Sequence, residues 1–200
     1  MRSLLMSSLA TMLVAVPIMT TSRVGSNTLT LQPKSRIWVQ GTSTVRSFEC
    51  TANEFEAVVE TSGPDAVRLV AAGEKAVTTV VLKVPVAKLD CRNGTMNEHM
   101  LKALKATEHP QIEFRFASYE LTKADEGTTA TLTGTLSIGG SEQPVTITAS
   151  AREVEPGTLQ VTGSHEVHMK AFGLKPPSLM LGTMKVRELV KVNFDLLLRS

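Results

Sequence analysis

Little in this sequence offers reactive chemistry. Only two of 200 residues are cysteine, Cys50 and Cys91, and they form no Cys-x-x-Cys pair, so the dithiol of a redox catalyst is excluded. There is no Gly-x-Ser-x-Gly elbow, phosphate-binding loop or dinucleotide glycine pattern, and no catalytic residue is assigned; the chain is not expected to be an enzyme. Charge of one sign is also missing. Lys and Arg number 21 against 19 Asp and Glu, a formal net charge of +2, and the basic residues are dispersed, so no nucleic-acid partner is indicated. The apolar run at residues 9–19 is about eleven residues long, short of the ~20 that a spanning helix needs. No cysteine follows that run closely, which argues against a lipid-modified N-terminus.

Arg2 followed by this run reads instead as an export signal over residues 1–25, cut between Thr20 and Ser26. Residues 26–34 then read as a flexible linker and 35–200 as one domain, delivered to a periplasmic or extracellular compartment. An even pair of cysteines in an exported chain reads as a disulfide, Cys50 to Cys91. Closing a loop of about 42 residues would contribute roughly 4 kcal/mol on the chain-entropy model. Two buried, unpaired thiols are the alternative.

Helical spacing occurs in one place. Asn93-Gly94 is a turn pair, and Thr95 with Glu98 three residues on forms a capping box. Met100, Leu101 and Leu104 then fall on one stripe, with Ala103 beside it, before Pro110 forbids continuation. Ile112, Phe114 and Phe116 alternate with Glu113 and Arg115, so the period drops at once to that of a half-buried strand.

The remainder reads as strand. Residues 37–48, 55–60, 67–69 and 80–86 are β-rich, with Gly63-Pro64-Asp65 as a turn and Pro85 ending a strand because it cannot donate to a ladder. Beyond the helix, Leu132, Gly134, Leu136 and Ile138 share one face. So do Val145, Ile147, Ala149 and Ala151; then Leu159 through Ala171 at every second position; then Val190, Val192, Phe194, Leu196 and Leu198. Gly139-Gly140-Ser141 and Pro156-Gly157 reverse the chain between these runs. Eight or nine strands, each with one apolar face, predict an all-β protein that closes as an antiparallel barrel or folds into a sandwich. Small residues on the apolar faces, Gly134, Ala149, Ala151 and Gly163, favour a hollow barrel.

The order of these pieces resembles a known family. The short helix around Glu98-His99-Met100, then Pro110-Gln111-Ile112-Glu113-Phe114, then the Gly134-to-Gly140 run Gly-Thr-Leu-Ser-Ile-Gly-Gly, is similar to the YceI-like, lipocalin-type polyisoprenoid-binding proteins. The likeness covers roughly residues 35–199. In the helix this chain has Met96-Asn97-Glu98-His99-Met100 where many members carry Arg-Asp-x-His-Leu. The resemblance implies a lipocalin-like barrel of about eight strands with one helix inserted mid-chain, whose tunnel holds a polyisoprenoid, quinone-like or other long apolar chain. It implies a hydrophobic lipid as ligand; transient membrane contact, and no cofactor beyond such a bound lipid, are expected with it.

Candidate tunnel-lining residues are Ile112, Phe114, Phe116, Leu136, Val145, Ile147, Val161, Val167, Phe194 and Leu196, with Phe172 at the start of a Pro-rich segment, 172–182, read as a flap over the mouth. His165 falls on the apolar face and could bond a polar head group. With His168 three residues away it would point to the opposite side of a strand, so no metal site is assigned. An envelope module with a packed core and no ligand is the competing expectation.

Overall fold

In a computed structural model, residues 27–179 and 184–200 are described; the expected export signal lies outside them, as do Met180 to Gly182 of the Pro-rich segment. The first elements are β1 (Thr28–Leu31), β2 (Arg36–Ser43), β3 (Ser47–Ala52), β4 (Glu56–Thr61), α1 (Ala66–Ala71), β5 (Val77–Pro85), β6 (Leu89–Asp90) and α2 (Gly94–Ala103). Then come β7 (Gln111–Lys123), β8 (Thr128–Ile138), β9 (Ser141–Glu155), β10 (Thr158–His168), β11 (Ser178–Leu179) and β12 (Met184–Arg199). Single 3-10 turns occupy Val86–Lys88 and Met169–Phe172.

Eight of the strands close into an antiparallel barrel in the order β1-β4-β5-β7-β8-β9-β10-β12. The ring is sealed where Thr30 meets Arg199 and Leu31 meets Leu198. The edge of β12 that β1 uses at its C-terminal end is taken farther up by β2, from Val186↔Ser43 to Asp195↔Arg36. From there β3 and β6 extend the sheet as a short branch. Closure satisfies the strand edges that an open sheet would leave unpaired.

Several sequence expectations are corrected. Residues 28–31, expected in a linker, form β1, because Leu29 buries its side chain inside the barrel and the backbone pairs with both β4 and β12. Residues 67–69, expected as strand, belong to α1, which buries Ala66, Val67 and Val70 on one side. These positions recur at helical spacing, but the run is short and valine-rich, so it also fits a strand pattern. The N-cap of α2 is Asn93, not Thr95: its extended backbone lets Oδ1 accept from the Met96 amide at 2.9 Å. The alternation through β10 stops at His168, so Met169 and Ala171 sit in a 3-10 turn instead of continuing the strand.

Two of the small residues on the inner faces, Gly134 and Gly163, also act differently from expectation. A Cβ at Gly134 would lie 2.6 Å from the Phe114 ring and would also meet the Arg115 carbonyl oxygen. At Gly163 it would lie 2.5 Å from the Phe194 ring and 2.8 Å from the Thr148 carbonyl. These glycines seat a phenylalanine of the neighbouring strand; the space they give up is filled by a ring. Gly134→Ala is therefore expected to destabilise the barrel by about 1–3 kcal/mol, although alanine is the better strand residue, because a backbone carbonyl cannot step aside. An unchanged urea midpoint would show that the β7–β8 pair can shift.

Candidate functional site

The inward sides of the strands enclose space. A cavity of about 230 Å³ fills the middle of the barrel, and a second of about 370 Å³ lies above it at one end. Val39, Leu89, Ile112, Ile138, Val167 and Val192 belong to the walls of both, so the two rooms adjoin.

The inner room is built by strand alternation. Ile112, Phe114 and Phe116 reach it from β7, and Leu136 from β8. Ile147, Val161, His165 and Val167 reach it from β9 and β10, and Phe194 and Leu196 from β12. Ten of the twelve residues singled out in the sequence thus line one cavity. Val145 does not: it pairs with Gly134, the position over which the Phe114 ring lies. Nor does Phe172, which is packed with Ile138, Val167, Met169 and Leu174 once the chain leaves β10.

The wall also includes Tyr119 and Leu121, which strict alternation from Ile112 misses. The register of β7 shifts between Phe116 and Ser118, and the extra residue, Ala117, moves the inward phase from even to odd positions. The signal is present in the sequence as apolar residues at 112, 114 and 116 followed by 119 and 121, a phase change that one bulge explains. The Tyr119 hydroxyl accepts from the backbone N–H groups of Ala76 and Val77 at 2.8 and 3.0 Å, tying α1's outgoing segment to the barrel. The floor below is a packed cluster in which Leu29, Val59, Val70, Leu159 and Leu198 are each at most 5% exposed.

Among the described residues, His165 is the one histidine facing this apolar room. Burial pushes its pKa below the ordinary value; the Glu166 carboxylate and a hydrogen bond to the Thr146 backbone act in the opposite direction without offsetting it. The folded protein thus favours the neutral ring, and the unfolded chain takes up a proton first as pH falls. The stability this group contributes is complete above its unfolded pKa of 6.5 and is lost as pH drops below that toward the folded value. His165→Gln is expected to flatten the pH dependence of urea unfolding between about pH 7 and 5; an unaltered slope would assign it to another group. His168, on the same strand, is exposed. Among the described residues no three His, Cys, Asp or Glu side chains gather as a metal site.

The outer room was legible only at its edges. Met96, His99, Met100 and Ala103 present one stripe of α2 to it, continued by the C-cap residue Leu104. The opposite side is given by Val39, Phe48 and Cys50 of β2 and β3, by the β2–β3 turn residue Arg46, and by β12. Leu174 and Pro177, from the segment expected to cover the mouth, complete the wall. Cys50 and Cys91 are joined as a disulfide with Cα atoms 3.9 Å apart, and Cys91 Sγ lies 3.7 Å from Met100 Sδ. Asn97 fastens α2 from its other side: its Oδ1 accepts from the Cys91 N–H and its Nδ2 donates to Asp90, both at 2.8 Å. That amide and the Arg92 backbone N–H hold the Asp90 carboxyl below its usual pKa.

A family model described as the YceI-like domain matches residues 30–198. The chain belongs to the YceI-like family. Among solved structures, this YceI-like chain is similar to BcnA of Burkholderia cenocepacia, at 19% identity and a TM-score of 0.66, over 84% of this chain and 99% of that one. A polyisoprenoid binding domain from Saccharophagus degradans, implicated in plant cell wall breakdown, matches at 11% identity and 0.63, over 86% and 97%. The YceI protein of Campylobacter jejuni matches at 16% and 0.58, over 94% and 99%. At these identities the likeness is one of fold. No curated protein matches the chain.

Proposed function

We propose that this YceI-like protein is an exported lipid-binding barrel that holds one long apolar chain, isoprenoid or similar, for transport, storage or sequestration. The observation that carries the reading is the pair of adjoining rooms, the inner one walled by aliphatic and phenyl groups with His165 and Tyr119 as the polar members among the described residues. The likeness in fold to the polyisoprenoid binding domain of Saccharophagus degradans supports the same ligand class. Hydrophobic transfer is the mechanism. Each Å² of apolar surface removed from water contributes about 25 cal/mol, so smooth walls suffice and no catalytic group is required. Arg2 with its apolar run, and a disulfide of the kind that persists in oxidising compartments, support export.

The test is solvent extraction of protein purified from its native host, followed by mass spectrometry. A stoichiometric long-chain lipid is the expected result. Repeated empty extracts would favour a ligand-free envelope module.

A further inference from the structure

The two rooms differ in what they ask of a ligand. The inner one ends on the packed floor beneath α1, where Val70, Leu159 and Leu198 are buried against one another. On the scale at which a cavity of about 150 Å³ takes one benzene, the inner room accepts on the order of nine carbons and the outer about fifteen. A chain entering from the mouth is therefore stopped by the floor, and its other end stays in the outer room.

That outer end meets a charged group of one sign. Of the described residues lining the outer room, only Arg46 and His99 are ionisable, and no carboxylate is among them. Arg46 sits at the turn between β2 and β3 and has no ion pair among the described residues, whereas Arg115 and Arg152 each face a glutamate. Asn93 and Thr95 at the start of α2 add an amide and a hydroxyl to the same wall. Arg46 is an exposed arginine on the wall of an apolar room with no acid among that room's described lining residues, and a guanidinium is the side chain suited to an oxyanion.

We infer that the cargo is a single-chain amphiphile with an anionic head, a carboxylate or a phosphate, held tail-down with the head against Arg46 at the mouth. This rests on the carrier reading and narrows it: a neutral lipid of the same length binds more weakly, and a chain much longer than about two dozen carbons protrudes.

Arg46 is well placed for a test because its hydrogen bonds to the described residues are made by its backbone. Its N–H donates to Ser43 Oγ at 3.1 Å, and its carbonyl accepts from the Ser43 hydroxyl at 2.8 Å and from the Ser43 N–H. Arg46→Gln thus keeps the turn. Delipidated full-length protein would be titrated with myristate and farnesyl phosphate, and with the neutral partners myristyl alcohol and farnesol. The expected result is at least tenfold tighter binding of one or both anions than of the matching alcohol. Arg46→Gln should abolish that preference without weakening the alcohols, Arg46→Lys should retain part of it, and added salt should reduce it. Whichever anion shows the larger preference identifies the head as fatty acid or isoprenyl phosphate. Equal binding of anion and alcohol, or a preference that survives Arg46→Gln, would overturn the inference while leaving the carrier reading intact. Failure of all four probes to bind would overturn both.

Discussion

Replacing both cysteines by serine, Cys50→Ser with Cys91→Ser, is expected to lower the melting temperature by about 10 °C. The bridge spans 41 residues of sequence, for which the chain-entropy model gives about 4 kcal/mol, and each kcal/mol moves the midpoint of a domain this size by about 2–4 °C. Little else fastens the bridged segment. β6 pairs with β3 at only two positions, Thr51↔Asp90 and Ala52↔Leu89, and no residue of α2 is fully buried. The loss should therefore be local as well as global, with amide exchange rising first across residues 89–104 and the wall of the outer room loosening. Thermal melts and hydrogen exchange of the double variant check this. A midpoint within about 2 °C of the parent would mean that Asn97 and the packing of Met100 hold α2 without the bridge.

The second large effect concerns ligand uptake. Val161→Trp is expected to weaken binding of a long-chain lipid on the order of 100-fold. Val161 is half-buried on β10, between Ala151 and Leu196 on the neighbouring strands, and its side chain faces the inner room. Val161 also packs against the floor cluster, so the variant reports on ligand uptake where its urea midpoint is maintained. If the indole shuts out three or four methylenes, at about 0.8 kcal/mol each, the loss is about 2–3 kcal/mol. Ile147→Trp, on the adjacent strand, provides a second variant. Full affinity in both, with urea midpoints maintained, would place the ligand outside the inner room.

The barrel was readable because its strands obey period two over long stretches. The first half of β7 and strands β8, β9, β10 and β12 carry inward residues at every second position, and that alternation brought ten of twelve predicted residues to one cavity. Reading failed where a local event broke the period. The unpaired Ala117 in β7 hid Tyr119 and Leu121, the 3-10 turn after His168 withdrew Phe172 from the wall, and the short α1 fitted a strand as well as a helix. Gly134 suggests empty space when only its own strand is considered, yet one strand away the Phe114 ring fills it.

The amino-acid sequence by itself determined the all-β class, the inserted helix and the inward faces, since side-chain alternation and Asn, Gly and Pro chemistry act within a few residues. Only the tertiary structure decided that β1 seals the ring, that α1 closes the floor, and that Arg46, α2 and the disulfide meet around a second room. Those contacts join residues tens of positions apart, and no local pattern encodes which distant strand a free edge will find.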